Sequence, residues 1–185
     1  MSALSRKVKV RARFLRSTRL DTNFDATQLI DGFVLHQSGE KIIQRVITEF
    51  MSGDQRAFTW TGAYGSGKST LGLYLSMLLS TNPRERQTLK PPRSAAAFNR
   101  VSKILPSEDK PWRSLTMVGQ KTDIEMSIRE KLLGLVSVDT DPHIDFTKLV
   151  EKALEAASAT HSGLILIVDE FGRHLEYASE ENKSL

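Results

Sequence analysis

The sequence contains no cysteine, which excludes disulfide bonds and thiolate metal sites from this chain. It also lacks any uncharged apolar run of about 18 residues, the length that a membrane-spanning helix requires. Its basic N-terminal region has neither the apolar stretch nor the small-residue cleavage site of a signal peptide. We therefore expect a cytoplasmic protein without membrane contact.

The length of 185 residues suits one domain with a sizeable core better than two complete domains. Hydrophobic residues make up 39% of the chain and charged residues 26%, as in ordinary globular domains and unlike disordered chains.

The net charge of +4 is distributed unevenly. Residues 1–20 carry seven lysines or arginines and no acidic residue, and residues 84–113 carry eight against three acidic ones. Such clusters are typical either of a polyanion-binding face or of an ordinary solvated surface. The first reading predicts contact with a DNA or RNA backbone through segments 6–19 and 84–113, without base recognition.

The first part of the chain predicts two strands and a helix. Residues 7–14, KVKVRARF, alternate as in an edge strand with a basic outer face. Residues 38–53 have helical periodicity, with Ser38 as the expected N-cap and Gly53 as the expected C-terminal stop. Residues 57–62, AFTWTG, are typical of a short strand. The expected buried stripe of the helix consists of Ile42, Ile43, Val46, Ile47, Phe50 and Met51.

The middle of the chain predicts an apolar helix over residues 69–80 that ends ahead of Pro83. Residues 82–111 are basic and contain five of the six prolines. We interpret this segment as an insertion outside the core, with one short helix over residues 94–105.

The last part of the chain predicts two more strands, over residues 114–119 and 163–172, and two helices between them. Thr122 and Glu125 have the spacing of a capping box at the first helix. The two apolar helix faces comprise Ile124, Ile128, Leu132 and Leu135, and then Phe146, Leu149, Val150, Ala153, Leu154 and Ala157.

Alternating strands and helices predict an α/β fold, a three-layer sandwich with a mostly parallel sheet. The apolar run at residues 164–168 suits a strand covered by helices on both faces. We expect residues 1–29 to form a basic strand and loop, and residues 30–185 to form the core. Because such sheets have about five strands, we expect this chain to hold only part of one.

Residues 60–70, WTGAYGSGKST, contain the phosphate-loop pattern GxxxxGK[ST] between a predicted strand and a predicted helix. Its glycines allow backbone amides to converge on phosphate oxygens, and the helix N-terminus adds positive charge. We expect Lys68 to bridge the β and γ phosphates of ATP, Ser69 to bind Mg²⁺, and Thr70 to reach the α phosphate. A simple glycine-rich turn, the alternative, needs neither the lysine nor the hydroxyl. The predicted nucleotide-binding residues are Gly62, Ala63, Tyr64, Gly65, Ser66, Gly67, Lys68, Ser69 and Thr70.

Five apolar residues lead into Asp169 and Glu170, at the strand end where ligands of open α/β sheets collect. We expect Asp169 to hold Mg²⁺ together with Ser69, and Glu170 to orient or deprotonate the attacking water. Lys68 and Glu170 are thus the predicted catalytic residues. The alternative is a strand that leads into a solvated acidic turn. The second acid favours hydrolysis over sensing.

Residues 30–176 resemble a P-loop ATPase of the additional-strand glutamate type, within the AAA+ and STAND-like group related to origin-recognition ATPases. The segments TGAYGSGKSTL and IVDEFGRHLEY are also similar to large bacterial ATPases of anti-phage defence. The resemblance implies that Phe33 and Val34 neighbour the adenine. It also implies the N-terminal module of a larger protein, a homo-oligomer or an effector subunit, with an arginine supplied by a neighbouring subunit.

The sequence leaves three functions open: an ATPase that drives remodelling, an ATP-dependent oligomerisation switch, and a small-molecule kinase. The four histidines show no metal-ligand spacing. We expect Arg173 and His174 to lie in a solvated turn, and Trp60 and Trp112 to lie in or near the core.

Overall fold

The computed structural model describes residue 30, residues 32–106 and residues 109–181. The strand predicted over residues 7–14 lies outside these residues. The described elements, in chain order, are α1 (Gln37–Ser52), α2 (Lys68–Ser80), a 3-10 helix (Pro83–Leu89), α3 (Ala95–Ser102), β1 (Arg113–Val118), α4 (Ile124–Leu133), α5 (Phe146–Ser158), β2 (Leu164–Asp169) and α6 (Gly172–Glu180).

The two strands β1 and β2 pair in parallel, in a register that runs from Arg113 opposite Leu164 to Val118 opposite Asp169. The α/β class and these two strands are therefore confirmed. The strand predicted over residues 57–62 is wrong, because these residues form no strand and most of them are exposed. An apolar extended sequence becomes a strand only where another strand accepts its backbone hydrogen bonds.

Helices cover both faces of this parallel pair. Leu115, Leu164 and Leu166 pack with α4 and α5 on one face. On the other face, Ile165 joins the cluster that contains the buried residues of α1, α2 and α3. Consecutive residues of a strand point to opposite faces, so cover on both sides explains why residues 164–168 are apolar without interruption.

Helix α1 confirms one predicted boundary and corrects another. Gly53 is its C-cap, as expected, but His36 and not Ser38 is the N-cap, and no side chain caps the first turn. Met51 is 56% exposed, so it does not belong to the buried stripe.

The N-caps of α4 and α5 are aspartates. The Asp123 side chain accepts a hydrogen bond from the Met126 backbone N–H at 3.1 Å, so the capping box predicted from Thr122 is wrong. Asp145 caps α5 by accepting from the Lys148 N–H. Leu154, predicted on the buried face of α5, is 47% exposed.

The segment over residues 82–111 packs into the core, contrary to the expectation of an insertion outside it. Leu89, Phe98 and Val101 are buried in the same cluster as the apolar residues of α1 and α2. The Tyr74 hydroxyl of α2 donates to the Leu89 carbonyl at 3.2 Å, and burial raises the pKa of this phenol. Apolar residues spaced along α3 account for the burial, and the prolines of the segment obscured this pattern.

An ion pair connects the segment over residues 82–111 to α1. Both carboxylate oxygens of Glu40, which is 5% exposed, accept hydrogen bonds from the Arg100 guanidinium of α3. These bonds hold the pKa of the Glu40 carboxyl below its ordinary value. Nearby, the Leu35 N–H donates to the Ser94 hydroxyl at 2.9 Å.

Among the helices of the described ranges, none combines the length and the hydropathy needed to cross a bilayer.

Candidate functional site

The glycine-rich loop before α2 depends on two left-handed residues. Gly65 has φ 76° and Gly67, the N-cap of α2, has φ 84°. A Cβ added at either residue would meet nothing within 4 Å, so the backbone conformation alone requires glycine. At Gly62 the constraint is spatial instead, since a Cβ there would lie 3.3 Å from the Ser66 hydroxyl oxygen.

The Lys68 side chain folds back over its own loop. Its Nζ donates to the carbonyls of Gly62 at 2.9 Å and Ala63 at 3.0 Å. Tyr64, at the tip of the loop, is 96% exposed. Ligand oxygens at the loop would therefore compete with these two carbonyls for the ammonium group.

The packing of α2 orients its first turn toward one end of the sheet. Near the end of α2, the Ser76 hydroxyl lies 2.5 Å from the Ser114 hydroxyl, and Ser114 pairs with Ile165 of β2. One turn earlier, a Cβ built on Gly72 would lie 3.5 Å from the Ile167 side chain.

The helix α2 and the strand β2 therefore run in opposite directions. One turn before Gly72, α2 begins with Lys68 and Ser69, and two residues after Ile167, β2 ends at Asp169. These two contacts therefore direct the start of α2 toward the end of the sheet at which β2 reaches Asp169.

The acidic turn follows β2 directly. The Gly119 N–H donates to the Asp169 carbonyl at 2.7 Å and continues the parallel ladder beyond β1. The Glu170 N–H donates to the Asp169 carboxylate at 3.0 Å. Glu170 itself has φ 52°, and its carboxylate lies 2.8 Å from Nε of Arg173.

Arg173 and His174 belong to α6, so the predicted solvated turn is wrong. His174 is 1% exposed, and its Nδ1 lies 2.8 Å from the Thr122 carbonyl. This contact makes Nδ1 the donor nitrogen, and the buried Nε2 has no hydrogen-bond partner. His174 and Ala178, four residues apart, form the buried face of α6.

The loop between β1 and α4 is attached to α6 at a second point on the surface. Lys121 Nζ lies 2.8 Å from the Glu180 carboxylate and 3.8 Å from that of Glu176. The hydrogen bond to Glu180 raises the pKa of the Lys121 ammonium. Together with the Thr122 contact, these bonds attach the loop to the helix that follows the acidic turn.

The predicted magnesium ligands have suitable chemistry. Ser69 supplies a hydroxyl and Asp169 a carboxylate, the hard oxygen ligands that Mg²⁺ prefers. In the described ranges no cluster of three or more histidine, cysteine, aspartate or glutamate side chains could hold a metal ion. Magnesium bound with a nucleotide needs no such cluster, because one or two protein ligands combine with phosphate oxygens and water. The residues present therefore fit a nucleotide-bound ion.

Phe33 and Val34, the expected neighbours of the adenine, are both half-buried. The Phe33 ring packs against Tyr74 of α2, with 4.5 Å between the ring centroids. This contact places Phe33 beside the middle of α2, and contact with a base stays a prediction.

The second basic segment is only partly available to a polyanion. Arg86 is buried and donates to the Pro106 carbonyl at 2.6 Å, and burial lowers the pKa of its guanidinium. Arg100 is paired with Glu40. The first basic segment, residues 6–19, lies outside the described part of the chain. Besides Arg100, the exposed basic residues within 84–113 are Arg84, Arg93, Lys103, Lys110 and Arg113.

Comparison of the chain with protein-family models, with curated proteins and with solved structures gives no match. The case for a function therefore depends on the residues themselves. Sequence reasoning missed Gly119, although a glycine directly after a strand is a signal for close backbone approach. It also missed the ion pair between Arg173 and Glu170, which their separation by three residues at a helix start makes possible.

Proposed function

We propose that this chain binds ATP with Mg²⁺ and hydrolyses it, as the P-loop module of an AAA+ or STAND-like protein. The observation that carries the proposal is the orientation of α2. The contacts of Ser76 with Ser114 and of Gly72 with Ile167 direct its first turn, which follows the left-handed Gly67, toward the Asp169 end of β2.

In this proposal the backbone N–H groups of residues 62–70 and the N-terminus of α2 bind the phosphates. Lys68 leaves the carbonyls of Gly62 and Ala63 and contacts the β and γ phosphates. Ser69 and Asp169 hold the ion, and Mg²⁺ supplies neutralisation of phosphate charge. Glu170 accepts a hydrogen bond from the attacking water and orients it toward the γ phosphorus.

Phosphate release from Mg-ATP by the purified protein tests this proposal. Lys68→Ala should abolish nucleotide binding, because it removes the only side-chain cation that the pattern assigns to the phosphates. Glu170→Gln should keep binding and lose about 100-fold or more in hydrolysis, because the amide is a far weaker acceptor for the water proton. Lys131→Ala, which changes an exposed lysine of α4, is the matched control.

Equal phosphate release from the wild type and from Glu170→Gln would remove hydrolysis from the proposal. Nucleotide affinity unchanged in Lys68→Ala would remove the binding site itself.

The bonds of Lys68 to its own loop favour a second function, an ATP-dependent oligomerisation switch. Because Lys68 must release two carbonyls to meet a phosphate, binding changes the loop beside the fully exposed Tyr64. Light scattering with and without ATP separates the two functions. A switch assembles in the wild type and in Glu170→Gln but not in Lys68→Ala, whereas assembly that is indifferent to nucleotide argues against it.

We further propose that the ATPase acts in nucleic-acid-linked remodelling or bacterial defence, through contact with a DNA or RNA backbone. The exposed basic residues within 84–113 support this contact, together with the basic sequence of residues 6–19. Phosphate contacts make affinity fall steeply with salt. Binding of a duplex that is equal at low and moderate salt would contradict the proposed contact.

A further inference from the structure

Glu170 has an unfavourable backbone conformation. It is the only non-glycine residue with positive φ in the described part of the chain, at 52°. A side chain in this region costs on the order of 1–2 kcal/mol, so the surrounding contacts must maintain it. The contacts that do so come from two directions, the end of β1 and the start of α6.

From the side of β1, the backbone of Gly119 lies directly against the peptide of Glu170. A Cβ built on Gly119 would lie 2.3 Å from the Glu170 carbonyl oxygen and 2.9 Å from its carbonyl carbon. Ordinary van der Waals contact begins at 3.4 Å, so even alanine would have to displace this peptide by about 1 Å. The Gly119 N–H meanwhile bonds to the Asp169 carbonyl, so the two backbones cannot simply separate.

From the side of α6, Arg173 binds Glu170 twice. Its backbone N–H donates to the Glu170 carbonyl at 3.0 Å, and its guanidinium forms an ion pair with the Glu170 carboxylate, with 2.8 Å between Nε and the nearer oxygen. The two side chains are 57% and 49% exposed, so this ion pair adds little stability. It does, however, place a positive charge directly beside the carboxylate.

We infer that Gly119 and Arg173 are positioning residues for Glu170: Gly119 fixes its backbone, and Arg173 fixes its carboxylate. This inference rests on the proposed hydrolysis, in which Glu170 orients water. Gly119 also bonds the Asp169 carbonyl, but neither residue belongs to the glycine-rich loop, so we expect both to act on the hydrolytic step and not on nucleotide affinity.

The experiment measures kcat for ATP hydrolysis and the Kd for nucleotide in Gly119→Ala and Arg173→Gln. We expect Gly119→Ala to lower kcat about 100-fold, since a displacement of about 1 Å has this effect on a positioned group. Arg173→Gln should lower kcat on the order of fivefold. Both variants should bind nucleotide with the wild-type Kd.

The same substitutions are repeated in a Glu170→Gln background. A residue that acts only through the Glu170 carboxylate has no further effect once that carboxylate is gone, so the double variants should hydrolyse ATP as slowly as Glu170→Gln alone. A residue with a general structural role would lower the rate again.

Two matched controls make the same kinds of substitution at sites that do not contact Glu170. Gly134→Ala adds a methyl group where the nearest atom is 3.4 Å away, at the end of α4. Arg45→Gln removes another exposed arginine–glutamate ion pair of similar length, Nε to a Glu49 carboxylate oxygen at 2.7 Å, on α1. Both controls should keep the wild-type kcat and Kd.

Three results would overturn the inference: an unchanged kcat in both variants, a Kd that rises in step with the loss of rate, or further loss in the Glu170→Gln background. If Gly119→Ala does not fold, the surface variant Arg173→Gln decides.

If the wild type hydrolyses no ATP above Glu170→Gln, the proposed function fails separately. The positioning is then judged from crystal structures of the wild type and Gly119→Ala. A shift of the Glu170 backbone by about 1 Å supports it, and an unchanged position refutes it.

Discussion

The glycine-rich loop before α2 and the acidic turn after β2 both have unusual backbone conformations, but the protein maintains them in different ways. The loop is exposed, and its unusual conformations fall on Gly65 and Gly67, where they cost little. The turn places a comparable conformation on Glu170, which has a side chain, and compensates with contacts from β1 and α6. The loop conformation is thus intrinsic to its glycines, whereas the conformation of the turn is maintained by its neighbours, as the proposed roles of the two regions require.

The contacts that hold the acidic turn and α6 are tested by replacing His174, for which we expect the largest loss of stability. His174→Ala leaves a cavity under α6 and the Thr122 carbonyl without its donor, and should lower the free energy of unfolding by about 2–4 kcal/mol. His174→Asn retains a donor close to the position of Nδ1 and should lose roughly half as much. Urea denaturation measures both.

Exposed His143 provides the control, since His143→Ala should leave stability unchanged. Equal losses in His174→Ala and His174→Asn would show that the bond to Thr122 does not hold α6 in place.

The glycine-rich loop is tested by Gly67→Ala. The substitution forces a side chain into φ 84° and should destabilise the protein by about 1–2 kcal/mol. Nucleotide affinity should fall about tenfold or more, because the loop shifts to relieve the strain. Thermal unfolding and nucleotide titration measure the two effects, and Gly134→Ala serves again as the control. Full stability in Gly67→Ala would mean that the left-handed conformation is not required.

The ion pair between Glu40 and Arg100 extends the comparison to a contact that belongs to neither region, because it joins α1 to α3. A carboxyl with a lowered pKa stabilises the fold above its ordinary pKa of 4.5 and loses this contribution as the pH falls through the lower, folded value. Glu40→Gln should therefore be less stable by about 1 kcal/mol at neutral pH and no less stable in acid.

Urea denaturation at neutral and at acidic pH measures this difference. An equal deficit at both pH values would show that the carboxylate charge contributes nothing.

The smallest effect is expected at Tyr64. This side chain is 96% exposed, so Tyr64→Ala should change the free energy of unfolding by less than about 0.5 kcal/mol. A larger loss in the urea midpoint would mean that the tip of the loop packs against the protein, and the contrast between an open loop and a constrained turn would weaken.

Much of the fold could be predicted from periodicity. The strands β1 and β2 and the helices α2, α3 and α5 follow from apolar spacing and from glycine and proline positions. The segment over residues 57–62 shows where periodicity fails as a predictor. A strand-like pattern describes one segment alone and says nothing about the strand that must pair with it.

The candidate site likewise has features that could be predicted from the sequence and features that could not. The phosphate-loop pattern and the two acids are local in sequence, so their positions at a helix start and a strand end could be predicted. The contacts that shape the turn join residues about 50 positions apart, such as Gly119 with Glu170 and Thr122 with His174. Contacts of this kind depend on how the strands and α6 pack, which no short pattern encodes.

The two tryptophans differ in their surroundings. Trp112 is buried against Phe50 and is only 7% exposed. Trp60 is half-buried against Gly72 of α2, two residues ahead of Gly62. An indole reports the polarity around it, so the emission of Trp60 should follow any rearrangement at the start of α2 while Trp112 supplies a constant background. The emission of Trp60 would therefore report nucleotide binding at the loop, if it occurs, without an attached dye.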